Sequence, residues 1–204
     1  MTYLKSLTYR MLYLVGFFII SCKDENIIKK GNAVIAIQPY RDFKQTDAQF
    51  IHQQIQKVYS QTILLPGIDL PQQAYVQIRN RYRADSLIRM LRDSRGKDTI
   101  SVGLTHFDIS TTKNGIPDWG VMGLGYRPGR ACVISTFRLK KKNLNEQLLK
   151  VVLHEIGHTQ NLPHCENQSC LMRDAEGGNP LDQEKEFCTK CKQALRQKGL
   201  LFNE

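Results

Sequence analysis

No stretch of this 204-residue chain is apolar for long enough to cross a bilayer comfortably. The one sustained hydrophobic run, Met11 to Ile20, has ten residues, roughly half of the ~20 a spanning helix needs. Acidic residues are also scarce, 19 Asp and Glu against 29 Lys and Arg, and a net charge of +10 raises the question of a nucleic-acid partner. No long basic run supports one. Arg79, Arg81, Arg83, Arg89, Arg92 and Arg95 are scattered, Lys140 to Lys142 form a short cluster, and no aromatics interleave with them as a stacking platform requires. A dedicated nucleic-acid site is therefore not expected. The chain is long enough for one domain with a sizeable core and too short for a second full one.

What the short run does suit is the core of an export signal. Lys5 and Arg10 precede it, and it closes on Ile19-Ile20-Ser21-Cys22, a tetrapeptide that resembles a bacterial lipobox, in which cleavage falls before the cysteine and lipid is attached to it. Residues 1–21 are then a lipoprotein-type signal peptide, 22–32 a polar linker and 33–204 one globular domain. Cys22 would tether the protein by acyl chains to a membrane surface of the bacterial cell envelope, the outer membrane being favoured, with plain secretion as the alternative.

From Ala33 the pattern is globular. Ala33 to Gln38 suits a buried strand, Asp47 to Tyr59 places Phe50, Ile51, Ile55 and Val58 at helical spacing, and Gln61 to Leu65 suits a second strand. Beyond the Pro66-Gly67 and Pro71 loop, Ala84 to Leu91 is expected as a helix turned inward through Leu87, Ile88 and Leu91, and Thr99 to Thr105 as a third strand. Strands alternating with helices predict an α/β layer fold with a largely parallel sheet. Gly120 to Tyr126, the Pro128-Gly129 turn and Ala131 to Phe137 read as a hairpin that delivers the chain to another helix. That helix opens on Asn143, with Glu146 at capping-box spacing, and carries Leu148, Val151, Val152 and Ile156 as its buried stripe.

The same helix carries the chemistry. In Leu149 to Cys170, LKVVLHEIGHTQNLPHCENQSC, His154 and His158 are four residues apart and share a helix face, so both imidazoles can reach one ion, with Glu155 beside them to handle a proton. Asn161 follows, a residue that tolerates the left-handed conformation that ends helices, and then His164, which the turn can bring back to the same ion. Three protein ligands leave the fourth tetrahedral position of Zn2+ open to water, the arrangement of a catalytic site. Zinc brings that water's proton within reach near neutral pH, and Glu155 stands where it can take it and pass it to a leaving amine. His52 and His106 lie far from the motif and are expected as surface or core histidines.

With Cys165, Cys170, Met172 and the later Cys188-Thr189-Lys190-Cys191 added, the stretch Val151 to Cys191 resembles the archaemetzincins, the metzincin branch in which a four-cysteine zinc site adjoins the catalytic one. One position departs from the pattern H-E-x-x-H-x-x-G-x-x-H: Asn161 stands at the glycine, and asparagine is the next best occupant of a positive-φ position. The resemblance implies a metzincin-like catalytic domain, a twisted and mostly parallel sheet with one antiparallel edge strand, packed helices and a zinc-binding C-terminal subdomain. It also implies that His154, His158 and His164 bind the catalytic zinc, that Glu155 is general base and acid, and that Met172 is the apolar floor of the Met-turn. Cys165, Cys170, Cys188 and Cys191 would hold a second zinc, making two Zn2+ per chain. Gly120 to Tyr126 would offer its free backbone groups to an extended peptide; an edge strand with no substrate role is the other reading.

Six cysteines thus divide into Cys22 for lipid, Cys132 as a buried free thiol, and the four after the helix. An exported protein meets an oxidising compartment, so two disulfides among those four compete with zinc; the C-x2-C spacing of Cys188 and Cys191 favours the metal. The function these residues predict is a zinc-dependent metallopeptidase acting on peptide or protein substrates. The alternative is a catalytically weak, zinc-scaffolded envelope lipoprotein that holds a peptide or partner, and the presence of Glu155 argues against it, since binding alone needs no general base.

Overall fold

In the computed structural model, which describes residues 33–200, the chain runs β1 (Val34–Pro39), α1 (Gln45–Val58), β2 (Thr62–Leu64), β3 (Tyr75–Val76), β4 (Arg81–Arg83), α2 (Ala84–Asp93), β5 (Thr99–Thr105), β6 (Ile109–Lys113), β7 (Ile116–Val121), β8 (Gly123–Gly125), β9 (Ala131–Ser135), α3 (Leu144–Thr159) and α4 (Thr189–Gln197). Cys22 and the expected signal and linker lie outside the described residues. Five strands form a sheet in the order β2-β1-β5-β9-β8, the first four mutually parallel and β8 antiparallel at the edge. This is the mostly parallel sheet with one antiparallel edge strand that was expected.

Burial explains why helices cover both faces. β9 is buried at every residue and β1 and β5 at all but their first, as parallel strands between two layers must be. Alternation along β9 sorts the layers: Cys132 and Ile134 pack with Ile51 and Ile55 of α1 and Leu148, Val152 and Ile156 of α3, whereas Ala131 and Val133 pack with Leu87, Ile88 and Leu91 of α2. Ile35, Ile100 and Leu148 are wholly buried, and truncating any one to alanine should cost about 2–5 kcal/mol. α2 approaches so closely that a Cβ on Gly103 of β5 would sit 2.6 Å from Leu91 Cδ1.

Three expectations need correction. Gly120 to Tyr126 is not one strand: Gly120 and Val121 belong to β7, and only Gly123–Gly125 pairs with β9. Ala131 to Phe137 likewise pairs only as far as Ser135. Asn143 precedes α3 but makes no cap; its Nδ2 donates to Asp182 Oδ1 at 2.7 Å, a partner far along the chain that the local pattern could not reveal.

A second sheet, β3-β4-β6-β7, was not anticipated, because strands such as Arg81-Tyr82-Arg83 and Ile109–Lys113 carry too little apolar alternation to register. Buried charge anchors it. Asp108 accepts both Nε and Nη2 of Arg138 at 2.9 Å and pairs with Arg81 Nη2 at 3.1 Å. The Arg138 guanidinium crosses Gly120 so closely that any Cβ there would lie 2.0 Å from Nη2. The second sheet is thereby fixed against the cleft.

Candidate active site

α3 carries His154 and His158 on one face because Leu148, Val152 and Ile156 on the other are fully buried. The helix then stops in a defined way. Asn161 takes φ +68°, its N–H donates to His158 O at 2.8 Å, and Leu162 N–H reaches back to Gly157 O at 3.0 Å. These are the two bonds of a Schellman turn. The turn also fixes a ring, because the Leu162 carbonyl accepts from His158 Nδ1 at 2.8 Å.

Each of the three imidazoles is held the same way, by its Nδ1. His154 donates to Leu171 O at 2.6 Å, His158 to Leu162 O, and His164 Nδ1 lies 3.0 Å from Asp174 Oδ2. A ring that donates from Nδ1 presents the Nε2 lone pair on the opposite side. Those lone pairs converge: His158 Nε2 and His164 Nε2 are 3.2 Å apart, and one ligand atom from each histidine lies within 4.8 Å of the others. Zinc–nitrogen bonds of about 2.0–2.1 Å require nitrogens roughly 3.3 Å apart on a tetrahedron, so the donor set fits the ion. Burial, then the neighbouring His158, pulls His154 down to about 3, and burial lowers His158 as well, so both shifts favour the neutral ring that a metal requires.

Glu155 is buried beside them and lines the same cavity of about 650 Å³. Burial pushes its carboxyl up to about 8, opposed by the Gly125 N–H that donates to it; a divalent cation in the cluster favours the ionised form. β8 can lie this close only because it is glycine-rich. A Cβ on Gly123 would sit 2.6 Å from Glu155 Oε1, and one on Gly125 2.8 Å from the Glu155 carbonyl oxygen. Beyond β8 the sheet has no further strand among the described residues, so the backbone edge facing the cleft is open to an extended peptide.

Met172 lies beneath α3, fully buried, its sulfur where a Cβ on Gly157 would come within 2.5 Å. Next to it the four thiols gather. Cys165 Sγ and Cys188 Sγ are 3.8 Å apart, as are Cys170 and Cys191, and all four lie within 4.8 Å of one another. A disulfide would need about 2.05 Å, whereas four thiolates at about 2.3 Å from a tetrahedral zinc stand roughly 3.8 Å apart. All four are free cysteines, and the set fits zinc. Backbone N–H groups of Met172 and Cys188 donate to Cys170 Sγ at 3.5 and 3.3 Å. Burial would raise the Cys188 thiol, but the Cys191 N–H and neighbouring thiols bring it to about 7.

The remaining predicted positions fall elsewhere. Cys132 is a buried free thiol, raised by burial. His106 stacks on Phe43 at 4.6 Å and bonds Thr136, while His52 bonds Thr62 O; neither lines the cavity. Sequence reasoning missed Asp174, the Leu162 and Leu171 carbonyls, and the clamp on the loop before α4. There Asp182 accepts from Asn143, from Gln147 at 2.8 Å and from Lys140, and Lys150 Nζ donates to Leu181 O at 2.8 Å. No local pattern marks these positions, because each acts through a partner distant in the chain or through a backbone carbonyl that any residue supplies.

The model for Peptidase family M54 matches residues 39–197. An archaemetzincin of Halobacterium salinarum is 31% identical over 141 residues, 62% of this chain and 78% of that protein. One of Methanocaldococcus jannaschii is 28% identical over 179 residues, 83% of this chain and 96% of the relative. The crystal structure of an archaemetzincin from Archaeoglobus fulgidus, complexed with malonate, superposes with a TM-score of 0.68 at 26% identity, covering 78% of this chain and 98% of that one.

Proposed function

The chain belongs to peptidase family M54, the archaemetzincins, and is a zinc metallopeptidase acting on peptides or proteins; on that premise we propose the division of labour within its site. His154, His158 and His164 hold the catalytic zinc, and Cys165, Cys170, Cys188 and Cys191 a second, structural one. Lewis acidity is what the bound metal supplies. Glu155 takes a proton from the attacking water and delivers it to the departing amine. The Gly125 N–H steadies that carboxylate from behind, and the open edge of β8 aligns the peptide. Met172 floors the histidine cluster, and the four-cysteine site stiffens the same peptide unit at His164-Cys165.

The observation that carries this reading is the convergence of three imidazoles, each tied through Nδ1, at a cavity wall shared with Glu155. The binding-protein alternative has no comparable support, since a cleft that only holds a peptide needs no buried carboxylate at the metal. Residues 1–21 as signal peptide, 22–32 as linker and 33–204 as the peptidase domain, with lipid on Cys22 and an outer-membrane position in the bacterial envelope, complete the proposal on the sequence pattern around the lipobox. The test is reconstitution. Protein beginning at Cys22, stripped by chelator and reloaded with zinc, should regain cleavage of a mixed peptide library in step with zinc bound; zinc-replete protein that cleaves nothing in the library would count against it.

A further inference from the structure

We propose that Glu184 sets the specificity of the cleft, selecting a substrate side chain that carries a positive charge, lysine or arginine by chemistry. The inference rests on the peptidase reading and adds to it the class of side chain accepted. Glu184 lies in the loop between Met172 and Cys188 and lines the cavity that holds the three histidines, whose wall also includes the apolar Val151 and Leu181. It is only 3% exposed, and its Oε2 accepts no hydrogen bond. The nearby cations are engaged elsewhere: Lys150 Nζ donates to Glu146 Oε1 at 2.5 Å and to Leu181 O, and Arg173 Nη1 to Gln183 Oε1 at 2.6 Å. Of the other cationic side chains along the cavity, Arg138 is bound to Asp108, and Lys113 and Arg127 are exposed.

A buried carboxylate with an unused oxygen is costly unless something pairs with it. Burial pushes the Glu184 carboxyl up to about 7 in spite of Lys150 and Arg173. An apolar substrate side chain would leave that oxygen unpaired, whereas an ammonium or guanidinium group supplies a charge-assisted hydrogen bond. Selectivity then comes mainly from the penalty imposed on the wrong side chain.

Two peptide hydroxamates that differ only in a lysine or norleucine side chain beside the hydroxamate test this on zinc-loaded protein by calorimetric titration. The wild type should bind the lysine compound roughly tenfold more tightly or better. Glu184→Gln should bring the pair near parity, and Glu184→Leu should invert the preference. A wild type that binds norleucine as tightly, or variants that weaken both compounds while keeping the lysine preference, would overturn the assignment alone. Binding of neither compound would overturn it together with the peptidase reading of the cleft.

Discussion

His164 and Cys165 are adjacent in the chain, yet they belong to clusters of opposite character. The histidine cluster has three donors, opens onto a cavity of about 650 Å³ and holds each ring through a separate acceptor: two backbone carbonyls and Asp174. The cysteine cluster has four donors, takes N–H···S bonds from its own backbone and packs against Phe187 and Leu195 in the main core. Three donors leave one position for chemistry; four leave none, so a metal there contributes to folding instead. One peptide bond therefore joins a site where exchange is useful to one where it would be harmful.

The largest expected effect comes from the closed cluster. Cys170→Ser should lose one zinc and lower unfolding stability by on the order of 5 kcal/mol, read from denaturant titration and metal content; full stability with that zinc gone would erase the distinction between the clusters. His158→Ala should act the other way, losing the histidine zinc and about 10³-fold or more in turnover while the melting curve and the cysteine zinc stay in place. Asp174→Asn should weaken zinc at the histidines by about 10–100-fold and leave the cysteine site untouched, as competition with a chelator would show. Smallest is the turn: Asn161→Ala should cost about 1 kcal/mol in thermal unfolding and Asn161→Gly only a few tenths, since φ +68° suits glycine.

Legibility followed the range of the forces involved. The shared face of His154 and His158 on α3 and the turn at Asn161 could be read because helix periodicity and left-handed backbone preference are local. So could Ala33 to Gln38 and Thr99 to Thr105, whose apolar runs need no partner to identify them. The second sheet escaped notice because Asp108, Arg81 and Arg138 hold it through contacts that link distant segments. The missed cap at Asn143 has the same cause, a side chain drawn away to Asp182. Asp174, ten residues beyond His164, looked like any loop acid until folding brought it to 3.0 Å from the ring.

The central claim is that Glu155 moves the proton while the histidines alone hold the catalytic metal, and it is tested most directly by Glu155→Gln. Zinc per chain and turnover of a cleaved peptide would be measured on one preparation. A zinc content equal to that of the wild type, with turnover lower by about 10²–10⁴-fold, is predicted. Loss of a zinc along with activity, or turnover close to wild type, would contradict the account.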